Sequence, residues 1–296
     1  MTCNVVADGR TPRMDALPAH NAPASELEPS IAGKQPSLEG GYDPDFFREL
    51  AHIEDRHFWF RARNQLILAM ARRIVSSLDS CGLVLEIGCG TGNVLRVLKQ
   101  ACPQSLLVGL ELWREGLQHA RTRSDARLLQ ADVRNAPFGR PFDLVGMFDV
   151  LEHIADDQQT LRSVHGLLRP GGKLLLTVPA HQFLWSYFDE AARHCRRYSA
   201  DELRRKLLDA GFEVEFLTQF MACIFPIVWL YRKLLVRRQA TRSARELAGE
   251  EFRLVPVVNT ILAALLRLEA NWVARGHSLP FGTSLVAVAT KPASAA

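Results

Sequence analysis

The chain has 296 residues, 48% hydrophobic and 23% charged, enough for one large α/β domain with additions or for two small domains. A net charge of +4 is too small for a nucleic-acid-binding face, so no nucleic acid is expected as a partner. The six cysteines, Cys3, Cys81, Cys89, Cys102, Cys195 and Cys223, form no CxxC pair and speak against a zinc or disulfide framework; reduced thiols in a cytoplasmic protein are expected.

Residues 1–41 are rich in Pro, Ala, Ser, Glu and Gly without apolar periodicity, which predicts a disordered N-terminal tail; with no apolar h-region they do not read as a secretory signal. A single domain is expected over 42–296. Its first part, 42–80, reads as a helical cover: Phe46, Phe47, Leu50 and Ile53 recur at helical spacing, and a second helix over about 60–78 carries Leu66, Ile67, Met70 and Ile74 on one side. Strands then alternate with helices. Strands are predicted at 83–87, 105–110, 127–130, 143–148 and 173–178, and helices at 92–101, 113–122 and 156–168. That alternation implies an α/β fold, a doubly wound and mostly parallel sheet covered on both faces. Ser199-Ala200-Asp201-Glu202 reads as a capping box opening a further helix that ends at Gly211. Residues 212–220 and 284–290 read as a final pair of strands.

Between that pair lies an insertion, 221–281, expected to be an apolar helical lid. It holds apolar stretches at 220–236 and 254–266, with Arg232, Lys233, Arg237, Arg238, Arg242 and Arg245 between them. No clean run of about 20 apolar residues occurs, so a conventional spanning helix is not expected. Three readings stay open: a lid over an apolar acceptor, peripheral membrane contact through 220–266 with the basic run against anionic lipid, or a hairpin packed on the sheet or on a second subunit. The oligomeric state is not legible.

The strongest local signal is Glu86-Ile87-Gly88-Cys89-Gly90-Thr91-Gly92, where a buried strand ends in alternating glycines and a helix begins. Side chains there would keep a ligand off the backbone at the carboxyl end of the strand. The spacing is G-x-G-x-G, not the dinucleotide G-x-G-x-x-G, and Glu86 suits a cationic ligand and would repel a pyrophosphate. Glu111 ends the second strand, where an acid accepts hydrogen bonds from ribose hydroxyls.

These residues resemble the class I S-adenosylmethionine-dependent methyltransferases, and the resemblance continues in register through Ala131-Asp132-Val133, Phe142-Asp143-Leu144-Val145, Phe148-Asp149-Val150-Leu151-Glu152-His153 and Leu168-Arg169-Pro170-Gly171-Gly172. It implies a Rossmann-like sheet of seven strands with the last antiparallel, and S-adenosyl-L-methionine as cofactor. By the same resemblance Gly88, Cys89, Gly90 and Gly92 meet the methionine part, Glu111 and Leu112 the ribose side, and Asp132 with Val133 the adenine. Phe148 then lines the pocket near the methyl group. The subtype resembled is the ubiquinone-biosynthesis and secondary-metabolite one, acting on small molecules.

Methyl transfer needs proximity, alignment and, for a hydroxyl acceptor, a base near neutral pKa. His153 ranks first as base candidate, followed by His181 and His194; His194 and Arg197 also read as a lid pin paired with Asp189. Asp149, Glu152, His153 and His181 resemble the metal-binding ExxEH set of small-RNA 3′-terminal methyltransferases, with Asp in place of the first Glu, although the reading adopted uses no metal. The expected activity is O-methylation of a small apolar or amphipathic acceptor. C- or N-methylation and a non-catalytic scaffold are the alternatives, and a nicotinamide enzyme is disfavoured by the glycine spacing.

Overall fold

The computed structural model describes residues 46–235 and 255–293. The predicted tail, residues 42–45 of the cover, and Arg237, Arg238, Arg242 and Arg245 lie outside the described residues. Strands β1 (Leu83–Ile87), β2 (Leu106–Glu111), β3 (Arg127–Gln130), β4 (Phe142–Phe148), β5 (Leu168–Pro179), β6 (Glu213–Phe220) and β7 (Ser284–Thr290) form one sheet in the order β3-β2-β1-β4-β5-β7-β6. β1 to β5 pair in parallel, and β7 runs antiparallel to both β5 and β6. The order reverses at β1 and β4, so their carboxyl ends open the crevice where open α/β sheets bind ligands.

The strands are nearly continuous apolar runs because both faces are covered. On one face, Val84, Leu144, Leu175 and Val286 pack against α2 (Phe58–Ser77), α3 (Asn93–Ala101) and α9 (Pro256–Ala274). On the other, Leu85, Val145, Leu176 and Ala287 pack against α5 (Asp157–Leu167) and α7 (Ala200–Asp209). α4 (Arg114–Arg123) follows β2, the short α6 (Tyr187–Ala191) lies between β5 and α7, and α8 (Phe225–Leu235) follows β6. Glu202 N–H donates to Ser199 Oγ over 3.1 Å, the expected cap of α7, and Gly211 closes that helix at φ +93°.

The helical cover comprises α1 (Phe46–Ile53) and α2. Its α1–α2 junction is clamped to the glycine turn. Glu54 bonds Thr91 Oγ1 and Arg123, Asp55 accepts from Arg123 Nη2 at 2.8 Å, and Asn93 Nδ2 donates to Asp55 at 3.0 Å. α9 is longer than the sequence pattern predicts, 19 residues, and is apolar and long enough to cross a membrane by length and composition. Its Leu266, Ala270 and Val273 are nevertheless buried in the core it shares with α2.

Candidate active site

A cleft of about 670 Å³ opens at the carboxyl ends of β1, β2 and β4. Its floor is the glycine turn. Gly88 has φ +69°, and a Cβ there would meet Val150 Cγ2 at 2.4 Å, so only glycine lets the bend pass under Val150. Gly90 lines the cleft with Cys89, and the Phe47 ring lies where a Cβ on Gly90 would be in ordinary contact at 3.5 Å. Gly92, expected to face the ligand, does not line the cleft. It caps α3 at φ +78°, and a Cβ there would lie 2.9 Å from Ala120 Cα, so its task is the close approach of α3 to α4.

Glu86 is buried beside the turn, and its Oε2 has no hydrogen-bond partner among the described residues. Burial pushes its carboxyl well above the usual range; Arg63 opposes the shift and Glu111 adds to it. A buried acid with one unpartnered oxygen in a cleft is matched by a cationic group such as an ammonium or sulfonium. Glu111 accepts from the backbone amides of Gly90 (2.9 Å), Leu112 (2.7 Å) and Trp113 (3.0 Å). Burial raises it, and these amides counter part of the shift. Leu112, Asp132, Val133 and Phe148 line the same cleft. Asp132 is also paired with Arg134, whose guanidinium holds its carboxyl below the ordinary carboxylate range. The bare bend at Gly88 and the unpartnered Oε2 of Glu86 both fit S-adenosylmethionine.

The far wall separates the three histidines. His181 lies outside the cleft lining; its Nε2 donates to Gln219 Oε1 at 2.6 Å and its ring stacks on Phe183. The expectation that it serves as a base is therefore corrected. His153 lines the cleft with its ring 4.7 Å from that of His194. Desolvation, and then the neighbouring His194, lower it to about 3, too weak to take a proton from a hydroxyl at neutral pH. That argues for His194 over His153, the candidate ranked first from sequence.

His194 remains. Its Nδ1–H donates to Asp189 Oδ1 at 2.8 Å, and its Nε2 stands 4.0 Å from Glu152 Oε1 at the cleft wall. Asp189 is fully buried and also accepts from Arg197 Nε at 2.7 Å and Ser186 N at 2.9 Å. Burial raises its carboxyl, but the His194 bond and the Arg197 guanidinium outweigh this and hold it at about 2. Asp189 thus stays ionised and fixes the tautomer and aim of His194. The predicted lid pin and the base candidate are one device.

Glu152 is fully buried among the cleft residues, and neither carboxyl oxygen accepts a hydrogen bond among the described residues. Burial, then Asp149, push it well above the usual range. Glu152, His153 and His194 bring one ligand atom each within 4.8 Å of one another, so these three could hold a divalent cation. The predicted set differs. Asp149, at φ +55°, accepts from Arg63 Nη1 at 2.8 Å and Thr177 Oγ1 at 3.2 Å, and His181 is elsewhere. Sequence reasoning missed Arg63 and the part of the apolar wall that Phe58 and Trp59 supply, whose apolar pattern signalled core; Ile224, Ile227 and Val228, in the stretch read as a lid over an apolar acceptor, line the same cleft.

A family model described as a methyltransferase domain matches residues 52–216. A probable S-adenosylmethionine-dependent methyltransferase of Mycobacterium tuberculosis is 26% identical over 83% of this chain and 88% of its own length. The ubiquinone biosynthesis O-methyltransferase of Ruegeria pomeroyi is 34% identical, over 30% of this chain and 38% of that protein. Among solved structures, the N-methyltransferase NodS of Bradyrhizobium japonicum, in complex with S-adenosyl-L-homocysteine, shares the fold with a TM-score of 0.51 at 16% identity, covering 84% of this chain and 97% of that one.

Proposed function

The chain belongs to the methyltransferase-domain family and is an S-adenosylmethionine-dependent methyltransferase, and from that premise we propose that it methylates oxygen on a small apolar or amphipathic acceptor with His194 as base. The observation that carries this reading is the aim of His194: its Nδ1 is tied to ionised Asp189 and its Nε2 is turned to the cleft wall. When bound, S-adenosylmethionine supplies a methyl group on a sulfonium, activated for in-line displacement. Glu86 would face its cationic end, the turn at Gly88 and Gly90 its methionine part, Glu111 its ribose, and Asp132 with Val133 its adenine. His194 Nε2 accepts the acceptor hydroxyl's proton, and Asp189 stabilises the resulting imidazolium. The apolar wall from α2 and α8 excludes water and favours an apolar acceptor body. The short shared stretch with an O-methyltransferase of ubiquinone biosynthesis supports the same choice of atom.

A second reading, methylation of an amine, is favoured by Glu152, whose unpartnered carboxyl would seat a protonated amine. Mass spectrometry of products from paired hydroxyl and amine amphiphiles separates the two. On the first reading the hydroxyl compound gains one methyl group, and His194→Gln lowers kcat by about 10²–10⁴-fold with cofactor binding retained. A kcat for that variant within about threefold of the parent sets aside His194 as base.

A further inference from the structure

The exterior of α8 and α9 is apolar where a surface helix is normally polar. α9 buries Leu266, Ala270 and Val273 in the core shared with α2, while Val257, Ile261, Leu265, Leu268 and Trp272 form a stripe on its outer side. Leu268 is 65% exposed and Val257 69%. α8 exposes Ile227, Leu230 and Tyr231, of which Ile227 and Tyr231 also line the cleft. The mouth of the site therefore opens onto the apolar exterior.

Basic residues prevail on these helices, with Arg232 and Lys233 on α8 and Arg267 on α9. Glu269 is the single acid in the sequence of the two helices. It is turned inward, accepting from the backbone amides of Ala222 at 2.9 Å and Cys223 at 3.1 Å. Lys233 is exposed over the Trp229 ring, 4.5 Å from its centroid, and Arg267 is exposed on α9. Arg56 is exposed beside the start of α9, where its carbonyl accepts from Asn259 Nδ2 at 2.9 Å. An apolar face flanked by Arg56, Lys233 and Arg267, whose neighbouring exposed acid Asp55 is paired with Arg96 and Arg123, complements a surface that is apolar below and anionic at its boundary. It does not suit a second copy of itself, since an isologous contact would bring two basic faces together.

We infer that α8 and α9 form a docking surface for an anionic lipid bilayer, and that the cleft receives its acceptor from that bilayer. α9 lies in the interface without crossing, because its inner side is held against α2 and its sequence carries Asn259, Arg267 and Asn271. The second half of the inference rests on the amphipathic acceptor proposed above; the docking itself does not.

The test is flotation of the full chain with phosphatidylcholine vesicles containing about a third phosphatidylglycerol. Expected is co-flotation at low salt that weakens as salt is raised to about 0.5 M, where the Debye length falls to a few ångströms. The double variant Leu265→Glu/Leu268→Glu, remote from the cleft lining, should lower the partition coefficient by about tenfold or more. Calorimetry should give the same S-adenosylmethionine affinity for both proteins. Absent flotation with cofactor binding intact overturns the docking and leaves the O-methylation reading standing. Flotation undiminished in the variant also overturns it, as does a parent dimer that the variant turns into a monomer. A lower melting temperature for the variant, with no vesicle binding by the parent, puts another part of the chain on the stripe and has the same consequence.

Discussion

Replacing His153 by Gln tests the division of labour between the two cleft histidines. A free histidine takes its proton near pH 6.5, whereas His153 in the folded protein does so at about 3. Its folded value is depressed, so as pH falls the unfolded chain binds the proton first. The stability this position contributes is complete above pH 6.5 and is lost progressively between about 6.5 and 3. At about pH 4.5 the loss amounts to two pH units of proton binding, or about 2–3 kcal/mol. His153→Gln has no proton to gain, and the other titrating groups are common to both proteins. Urea unfolding at about pH 7.5 and 4.5, read through midpoint and slope, should therefore show the variant losing about 2–3 kcal/mol less than the parent. In the same protein kcat at neutral pH should stay within about tenfold of the parent, since a base this weak takes no proton from a hydroxyl. Parallel loss of stability in the two proteins would refute the desolvated placement of His153. A collapse of kcat with unchanged cofactor affinity would return it to the head of the base candidates.

Gly92→Ala should destabilise without blocking the cofactor. The left-handed φ of +78° and the 2.9 Å approach to Ala120 Cα together cost about 2–4 kcal/mol, roughly 5–12 °C in melting temperature by scanning calorimetry. Glu86→Gln should weaken S-adenosylmethionine binding by about 10–100-fold in titration calorimetry, through loss of a charged partner. The same variant should be more stable than the parent without ligand. A raised carboxyl pKa makes folding dearer as pH climbs above the ordinary carboxylate value, so the gain should grow from about pH 4.5 to 7, and a gain that does not grow counts against the buried carboxyl. Asp189→Asn should lower kcat more than it raises KM, because His194 loses its tautomer and aim; equal changes in both would make the pair a lid pin alone. Incubation with EDTA should leave turnover unchanged. A loss restored by a divalent cation would make Glu152, His153 and His194 ligands.

The sheet and the cofactor side of the cleft were legible because they depend on local pattern. Short apolar runs ending in Gly88 or Glu111 carry their own strand and turn information, and the strand bounds shift by only a few residues except in β5, which starts at Leu168 rather than 173. What stayed illegible depends on distant partners. Gly92 looks in sequence like Gly88, and only the approach of α4 distinguishes packing from ligand contact. His153, His181 and His194 are equivalent as residue types; desolvation, Gln219 and Asp189 respectively give them different chemistry. Phe46, Phe58 and Trp59 have the periodicity of core residues, yet they line the cleft because α1 and α2 form part of its wall.

That placement of α1 and α2 links cofactor binding to the stability of the cover. Glu86, Glu111 and Glu152 are buried around one cleft, and burial raises the pKa of each. Carboxyls in that state oppose folding unless a cation neutralises them. Arg63 from α2 is the cation that opposes the Glu86 shift, and it is committed to Asp149 at 2.8 Å and leans on the Trp59 ring. A cationic ligand beside Glu86 therefore completes a charge balance that the protein leaves open. The clamp from Glu54 and Asp55 to Thr91, Asn93 and Arg123 ties the cover to the turn that such a ligand occupies. Binding should accordingly protect α1 as well as the cleft floor from hydrogen exchange. If protection stopped at the glycine turn and spared α1, the cover would be a passive lid and the charge argument would apply to the floor alone.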